Sequence, residues 1–257
     1  MTASMTVGID LGSRTTKIVV LADDAIRSAE VFDTKHDPLD GLSRHLDELP
    51  DVPTIVTGYG RHLLSERLGY QAITELSACA RGAIHVRPDC RLVIDIGGQD
   101  AKVISVTEAG GFDDFVMNDR CAAGTGRFLE VMASALGYVL EEFGAEALSA
   151  GSAVRINSMC TVFAESEVVS LMTSGEDRRR IALGLHQATV ERVAAMLPPG
   201  ATDRGAVMFV GGVAKNPGVV ELLRARLPAQ PIIPEQPQIV SALGAALIAQ
   251  SAGEERS

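Results

Sequence analysis

Two segments of the chain repeat one pattern of apolar and polar positions. Residues 8–21, GIDLGSRTTKIVVL, and residues 93–106, VIDIGGQDAKVISV, each contain an apolar run, a short polar stretch with glycine, and a second apolar run. Alternation and β-branched residues predict strands in the runs, and the glycines predict a tight turn between them. The repeat therefore predicts two similar half-domains that face each other. The matching positions are Asp10 with Asp95, Gly12 with Gly97, and Lys17 with Lys102.

Helical periodicity predominates after the second repeat. Apolar residues recur at helical spacing through FLEVMASAL before Gly137 and through VFAESEVVSLM before Gly175. Residues 206–227, AVMFVGGVAKNPGVVELLRARL, predict a strand that ends at a glycine pair. A helix is then expected to begin near Pro217 with Asn216 as its cap. The mixture of strands and helices predicts an α/β fold.

Composition and charge narrow the classes of partner. The 257 residues carry a formal net charge of -10 with no evident basic face, which argues against a nucleic-acid partner. The first residues, MTASMTVGID, lack a basic region followed by a long apolar one, so we expect no signal peptide. No apolar run is long enough to span a bilayer. We expect a cytoplasmic protein without membrane association, whose four cysteines are reduced thiols or metal ligands.

The two repeated turns have the chemistry of a phosphate site. Backbone N–H groups in both turns can bind phosphate oxygens. The carboxylates of Asp10 and Asp95 can hold Mg²⁺ against those oxygens. Gln99 lies where an amide can orient an attacking water, and Lys17 where a cation can meet the phosphates. The glycine pair Gly211–Gly212 would let a purine approach the backbone closely. The competing interpretation is two ordinary hairpins with Asp-Gly turns.

Two of the four cysteines have similar settings. Cys121, in NDRCAAGTGRFLEV, and Cys160, in INSMCTVFAESEVV, each lie at or near a predicted helix N-terminus. The helix dipole and free N–H groups favour a thiolate there. Cys79 lies in a stretch of small helical residues and is expected in the core. Cys90 immediately precedes a strand and is expected in a loop. The histidines show no ligand-type spacing with Cys121 or Cys160.

Two thiolates do not complete a structural zinc site or an iron–sulfur cluster, because both take four ligands. One possibility is that Cys79 and Cys90 complete a set within one chain. The other is a two-fold dimer that brings two Cys121 and two Cys160 side chains together at the axis. If Cys121 is merely a buried thiol, the similar setting of Cys160 has no explanation.

The order of these elements resembles that of the acetate kinase, sugar kinase, Hsp70 and actin superfamily. That resemblance implies two ribonuclease-H-like lobes with an ATP cleft between them. A closer resemblance, over nearly the whole chain, is to the ATP-dependent activators of 2-hydroxyacyl-CoA dehydratases, a family that includes the ATPase subunits of benzoyl-CoA reductase. The motifs that carry it are GIDLGSRTTK, TGYGRHLL, ELSACARGA, VIDIGGQDAKVI, MNDRCAAGTGRFLEVMA, CTVFAESEVVS, GGVAKNPGV and the ALGAAL of the last predicted helix.

The resemblance implies cofactors and residue roles. It implies a homodimer in which each subunit binds ATP or ADP with Mg²⁺, and in which one [4Fe–4S] cluster is shared. Cys121 and Cys160 would be the cluster ligands. By position in the motifs, the first phosphate loop contains Asp10, Gly12, Ser13, Thr15, Thr16 and Lys17; the second contains Asp95, Gly97, Gly98 and Gln99; the nucleoside element contains Gly211, Gly212 and Asn216.

The expected activity is ATP-driven delivery of one low-potential electron. A ferredoxin or flavodoxin would be the donor, and a 2-hydroxyacyl-CoA dehydratase or an aryl-CoA reductase the acceptor. We expect one lobe from residues 1–92 plus 236–257, and a second from residues 93–235 that carries the cluster cysteines. The alternatives are a small-molecule kinase of the same superfamily and a nucleotide-dependent scaffold. Both alternatives leave Cys121 and Cys160 without a role.

Overall fold

The computed structural model describes residues 5–158 and 160–254. The strands of these residues form one sheet of five and one sheet of four. The strands of the described residues are β1 Met5–Leu11, β2 Thr15–Ala22, β3 Ala25–Asp33, β4 Thr54–Thr57, β5 Gln71–Ala72, β6 Cys90–Ile96, β7 Ala101–Val106, β8 Phe112–Asn118 and β9 Ala206–Val210.

The first sheet has the order β3-β2-β1-β4-β5. Strand β1 pairs antiparallel with β2 and parallel with β4, so both of its edges are hydrogen-bonded. Every residue of β1 after Met5 is buried, which agrees with its nearly continuous apolar run. In the antiparallel register Asp10 lies opposite Lys17. The strand pair predicted over residues 8–21 is confirmed.

The second sheet has the order β8-β7-β6-β9. Strands β6 and β7 contain the second copy of the repeat, and all six residues of β7 are buried. The repeated strand pairs therefore occupy the same place in each sheet, because β1 lies between β2 and β4 as β6 lies between β7 and β9. The strand pair predicted over residues 93–106 is also confirmed.

The helices in residues 5–158 and 160–254 are α1 Pro38–Asp47, α2 Arg61–Leu68, α3 Glu75–Val86, α4 Gly126–Leu136, α5 Leu140–Leu148, α6 Thr161–Thr173, α7 Arg178–Ala194, α8 Pro217–Arg226 and α9 Val240–Glu254. Helices α2 and α9 pack against strands of the first sheet. No helix of the described residues is both long and apolar enough to cross a membrane.

The ends of several helices follow from capping residues. Asn216 is the N-cap of α8, and its side chain accepts a hydrogen bond from the Val219 N–H, while Pro217 occupies the first turn. Gly137 ends α4 in the left-handed conformation that glycine adopts without strain. Asp177 caps α7, whose first three residues are Arg178, Arg179 and Arg180. The predicted end of α4 at Gly137 and the predicted start of α8 at Pro217 are confirmed.

One expectation about the cysteines is wrong. Cys90 is the first residue of β6 and is completely buried, so it does not lie in a loop. Its Sγ lies 3.5 Å from the Leu92 carbonyl, with which it makes a weak hydrogen bond. A strand can begin at any residue whose side chain packs inward. The polar residues on either side of Cys90 in the sequence suggested a loop instead. Cys79, in α3, is buried as expected.

The chain divides into two compact units by its internal contacts. Within the described residues, one unit contains 5–93, 104–114 and 234–254, and the other contains 94–103, 115–158 and 160–233. In the first unit, helix α9 packs on β1 and α3, and the Thr6 hydroxyl donates to the Ala246 carbonyl at 2.9 Å. In the second unit, α7 packs between α5 and α8. The division into lobes at residues 92 and 236 stays a prediction.

Helix α9 approaches α3 so closely that glycine is required at the crossing. A Cβ built on Gly244 would lie closer than 3.0 Å to the Ala78 carbonyl oxygen and to the Gly82 nitrogen. Because backbone atoms cannot move aside as a flexible side chain can, Gly244→Ala should lower the free energy of unfolding by about 1–3 kcal/mol or more. Urea denaturation measures the change.

Gly253→Ala, in the same helix, is the matched control. A Cβ at Gly253 meets no atom within 4 Å. This substitution should leave stability unchanged or raise it by up to about 1 kcal/mol, because alanine has the higher helix propensity. Equal destabilisation by the two substitutions would contradict the proposed crossing.

Candidate functional site

The first repeated turn joins β1 to β2. Asp10 is nearly buried, with 11% of its side chain exposed, and its Oδ2 lies 3.1 Å from Lys17 Nζ across the strand pair. The turn is closed by the Gly12 N–H, which donates to the Thr15 carbonyl at 3.2 Å. The Thr34 hydroxyl donates to the Gly12 carbonyl at 2.9 Å. A carboxylate and an ammonium group are therefore held side by side at the base of a constrained turn.

The second repeated turn joins β6 to β7 and has the same construction. The Gly97 N–H donates to the Asp100 carbonyl at 2.9 Å, which corresponds to the bond from Gly12 to Thr15. Lys102 Nζ lies 3.9 Å from Asp95 Oδ2 and 2.7 Å from Asp100 Oδ2. Only 5% of the Lys102 side chain is exposed, against 13% for Lys17. The second lysine is thus shared between two carboxylates and is the more deeply buried.

A further part of the repeat was not predicted from the sequence. Gly58 follows β4 with φ +92°, and Gly211 follows β9 with φ +88°. A Cβ on Gly58 would overlap Asp10 Oδ1 and the Leu11 carbonyl. A Cβ on Gly211 would overlap Asp95 Oδ1 and the Ile96 carbonyl. Each aspartate is therefore covered by one glycine from the neighbouring strand, and positive φ makes a side chain strained at both glycines.

The remaining residues predicted on the phosphate loops differ in exposure. Thr16 is buried, and its hydroxyl lies 2.9 Å from the Thr34 hydroxyl, so it braces the first turn. Gln99 is exposed at the tip of the second turn. The half-buried members of the set are Gly12, Ser13, Thr15, Gly97 and Gly98.

The loop that carries Cys121 is joined to the second turn through helix α4. The N–H groups of Gly126 and Arg127 donate to the carbonyls of Gly97 and Gly98, at 2.9 and 2.8 Å. The N-cap residue, Thr125, makes no side-chain capping hydrogen bond, and these two carbonyls accept in its place. The opening N–H groups of α4 are thus bonded to the turn.

The expected effect of the α4 dipole on Cys121 needs correction. Cys121 lies four residues before the N-cap Thr125, whereas a helix dipole acts mainly within the first turn. The half-buried Cys121 is positioned instead by Asn118, whose amide donates to the carbonyls of Cys121 and Ala123 at 2.9 and 3.1 Å.

Cys160 is the exposed N-cap residue of α6, so its predicted place at a helix N-terminus is confirmed. The segment before it is tied to the helix by Glu167, which accepts from the N–H groups of Asn157 and Ser158 at 3.0 and 2.7 Å. Partial burial raises the pKa of Glu167, but these hydrogen bonds outweigh it and lower the pKa overall. An ionised carboxylate therefore holds the Cys160 segment.

The other two cysteines are unsuited to metal binding in the folded chain. Burial raises the pKa of the Cys90 thiol to about 11, so it stays protonated at neutral pH. Cys79 is 1% exposed. Across residues 5–158 and 160–254, no group of three or more histidine, cysteine, aspartate or glutamate side chains is arranged to hold a metal ion.

The strand–glycine–helix element predicted for a nucleoside is present. After β9, Gly211 is half-buried and Gly212 is exposed, and a short 3-10 turn, Gly212–Lys215, leads to the cap Asn216. The Asn216 Oδ1 accepts from the Val219 N–H at 3.1 Å. The Asn216 amide nitrogen points the other way, to His186 Nε2 at 3.1 Å.

Comparison with known protein families and curated proteins gives consistent results. The model of the BadF/BadG/BcrA/BcrD ATPase family matches residues 7–249. The chain is 41% identical to the activator of lactoyl-CoA dehydratase from Anaerotignum propionicum, with 98% of this chain and 99% of that protein covered. It is 39% identical to the 2-hydroxyisocaproyl-CoA dehydratase activator of Clostridioides difficile, with 97% and 96% covered. It is 28% identical to a benzoyl-CoA reductase subunit from Thauera aromatica, with 95% and 92% covered.

Solved structures show the same fold. Component A of (R)-2-hydroxyglutaryl-CoA dehydratase from Acidaminococcus fermentans has a TM-score of 0.89 at 38% identity, with 97% of this chain and 99% of that chain covered. The activator of the 2-hydroxyisocaproyl-CoA dehydratase from Clostridium difficile, with bound ADPNP, has a TM-score of 0.86 at 37% identity, with 98% and 96% covered. EutJ from Carboxydothermus hydrogenoformans, at 17% identity and a TM-score of 0.61 with 95% and 89% covered, shows likeness of fold. The predicted α/β fold of the sugar kinase, Hsp70 and actin superfamily is confirmed.

Thiol reactivity should separate the four cysteines into two pairs. In the folded, metal-free protein at pH 8, iodoacetamide should modify Cys121 and Cys160, whose side chains reach solvent. Cys79 and Cys90 should react only after unfolding, because they are buried and a thiol with a pKa near 11 is almost entirely protonated. Peptide mass spectrometry measures the sites. Labelling of Cys90 in the folded state as fast as Cys160 would contradict this assignment.

Proposed function

Because the chain belongs to the BadF/BadG/BcrA/BcrD ATPase family, we propose that it is an ATP-hydrolysing activator of a CoA-ester enzyme. It delivers a low-potential electron to a 2-hydroxyacyl-CoA dehydratase or to a related CoA-ester reductase. The names of its relatives support the class of partner. The observation that carries the proposal is the pair of hydrogen bonds between the second turn and α4, because they connect a phosphate-type loop to a thiol-bearing one.

The two repeated turns are the phosphate-binding loops of this ATP site. The carboxylates of Asp10 and Asp95 would hold Mg²⁺, which when bound would neutralise phosphate charge. Lys17 and the N–H groups of the turns balance the phosphate charge. Gln99, exposed at the tip of its turn, orients the attacking water. The products are ADP and inorganic phosphate.

The other residues of the site bind the nucleotide without taking part in bond breaking. Glycines let the backbone approach phosphate and base closely, and small hydroxyls add hydrogen-bond donors. The nucleoside lies on the strand–glycine–helix element after β9. The binding residues proposed in addition to those above are Gly12, Ser13, Thr15, Thr16, Gly97, Gly98, Gly211, Gly212 and Asn216.

Cys121 and Cys160 are the proposed ligands of a [4Fe–4S] cluster. They fit one by the chemistry of the donor set, since each chain offers two thiols outside the core and keeps the other two buried. Two chains then supply the four thiolates that such a cluster takes. When bound, it supplies one-electron chemistry at low potential.

The surface beside Cys160 supports a homodimer. Val162 and Phe163 follow it in α6, and each is 68% exposed although apolar. Exposed apolar side chains grouped in this way are typical of protein–protein contacts. A second chain at this surface would bring its own Cys160 close to the first.

Coupling of ATP hydrolysis to electron transfer requires a connection between the nucleotide site and the Cys121 loop. The bonds from Gly126 and Arg127 make the second turn and the start of α4 one hydrogen-bonded unit. If these bonds are kept when the turn changes shape on loss of the γ-phosphate, α4 and the Cys121 loop before it move with the turn. One electron enters from a reduced ferredoxin or flavodoxin and leaves to the acceptor enzyme, and no atoms are exchanged with either. We expect this protein, its electron donor and its acceptor to work in the cytoplasm under anaerobic conditions.

Removal of one metal-facing charge should stop ATP hydrolysis. Asp95→Asn should lower Mg²⁺-dependent ATP turnover by about 100-fold or more, the order of loss that follows removal of one group that stabilises transition-state charge. Asp10→Asn should behave alike. Phosphate release measures turnover, and the melting temperature shows that the fold is kept.

Asp113→Asn, an exposed position on β8, makes the same chemical change outside the site and should hydrolyse ATP at the parent rate. Parent-like turnover by Asp95→Asn would exclude the second turn from the phosphate site.

Iron content tests the shared cluster. Cys121→Ser and Cys160→Ser should each abolish the iron and the visible absorbance band of anaerobically purified protein, because each change removes two of four ligands from the dimer. The parent dimer should contain about four iron atoms. ADPNP binding should survive both changes, since the phosphate turns lie in other segments.

Cys79→Ala and Cys90→Ala are the matched controls and should keep the iron, because both side chains are buried in the core. Loss of iron from these two variants, with a parent that is monomeric by light scattering, would favour a four-cysteine site within one chain. A parent that binds ATP but never iron would instead favour a small-molecule kinase.

A further inference from the structure

His186 is a fully buried histidine that the proposed chemistry does not use. It lies on α7 with 0% of its surface exposed, and it is surrounded by α5 and α8. A buried imidazole has two nitrogens to satisfy, and here both have partners. Nδ1 lies 2.8 Å from the Ala182 carbonyl, and Nε2 lies 3.1 Å from the side-chain amide nitrogen of Asn216.

These partners define the protonation state of the ring. The Ala182 carbonyl can only accept, so Nδ1 carries the proton. Asn216 uses its Oδ1 to accept from the Val219 N–H, which leaves its amide to donate to Nε2. His186 is therefore neutral, with its lone pair directed at Asn216. Burial lowers the pKa of His186, which keeps the ring neutral near pH 7.

The pair is enclosed by small residues and one aromatic ring. The Phe143 ring lies 4.6 Å from the imidazole, centroid to centroid. A Cβ on Gly144 would overlap the Asn216 side chain, and a Cβ on Gly218 would lie closer than 3.0 Å to His186 Cδ2. The two glycines therefore leave the space that this pair occupies, and the bonds to His186 and to the Val219 N–H define which way the Asn216 amide faces.

Asn216 occupies the junction of the proposed nucleoside element. It ends the 3-10 turn that begins at Gly212 and it caps α8, so its orientation affects both. We propose that His186 is a positioning residue for nucleotide binding, which holds the turn and α8 in the binding arrangement by accepting the Asn216 hydrogen bond. This inference rests on the proposed ATP site. It concerns affinity for the nucleoside and not the hydrolytic step, because His186 is buried behind Asn216.

The test compares an acceptor with a non-acceptor at position 186. Glutamine can accept from the Asn216 amide, whereas leucine has similar size and no acceptor. In protein without iron and with Mg²⁺ present, His186→Leu should weaken ADPNP binding about tenfold by calorimetry, since the part-buried Asn216 amide loses its acceptor. His186→Gln should bind within about threefold of the parent. Turnover at saturating ATP should change less than affinity in both variants.

Thr189→Val is the matched control on the same helix. Thr189 is buried, and its hydroxyl donates to the Leu185 carbonyl at 3.0 Å without a bond to the nucleoside element. It should lose stability and keep parent affinity for ADPNP. If Thr189→Val and His186→Leu weaken binding equally, the effect is general destabilisation and the positioning role is overturned.

A double-mutant cycle tests whether His186 acts through Asn216. In the Asn216→Ala background His186→Leu should cost little further affinity, because the bond is already absent. Additive losses would overturn the inference. If His186→Leu does not fold, His186→Met, which fills the space with at most a weak acceptor, replaces it. A parent that fails to bind ADPNP refutes the proposed ATP site itself, whereas a binding parent with an unaffected His186→Leu refutes only the role of His186.

Discussion

The start of helix α4 depends on hydrogen bonds that its own sequence does not supply. A helix leaves its first N–H groups without partners, and a side-chain cap usually satisfies one of them. In α4 the carbonyls of Gly97 and Gly98 accept from the first two helical residues, Gly126 and Arg127. The second turn therefore cannot change its backbone without breaking one of these hydrogen bonds or moving the helix. The Cys121 loop, which leads into that helix, is constrained by the same two bonds.

The two copies of the repeat are alike in backbone and different in charge. Each has an aspartate, a facing lysine and a covering glycine, yet Lys102 is shared by Asp95 and Asp100 while Lys17 has Asp10. The residue that corresponds to Asp100 in the first turn is Thr15, which has no charge. Lys17 is consequently the less neutralised cation and the better candidate to meet a phosphate. The proposed site is asymmetric although its scaffold is repeated.

The features that could be predicted from the sequence are those whose signals lie close together along the chain. The strand pairs follow from apolar periodicity and turn glycines, and the α8 boundary follows from Asn216 and Pro217, because all of these signals lie within a few residues of one another. Gly58 was missed because it covers Asp10 from a parallel strand nearly 50 residues away in the sequence. The burial of Cys90 and the acceptors for α4 were missed for the same reason. Each depends on a neighbour that only the folded chain brings close.

The two buried cysteines and the two accessible ones also differ in the contacts that hold their backbone in place. Cys79 and Cys90 are held by the apolar core, where a thiol serves as a small hydrophobic side chain. The Cys121 loop is held by the amide of Asn118, and the Cys160 segment by the carboxylate of Glu167, both through backbone groups. Those bonds fix the loops and leave the sulfur atoms uncommitted. In the proposed assignment these two thiols, with an apolar surface at Val162 and Phe163 beside one of them, are half of a four-thiolate centre. The same proposal takes the other half from a second copy of the chain.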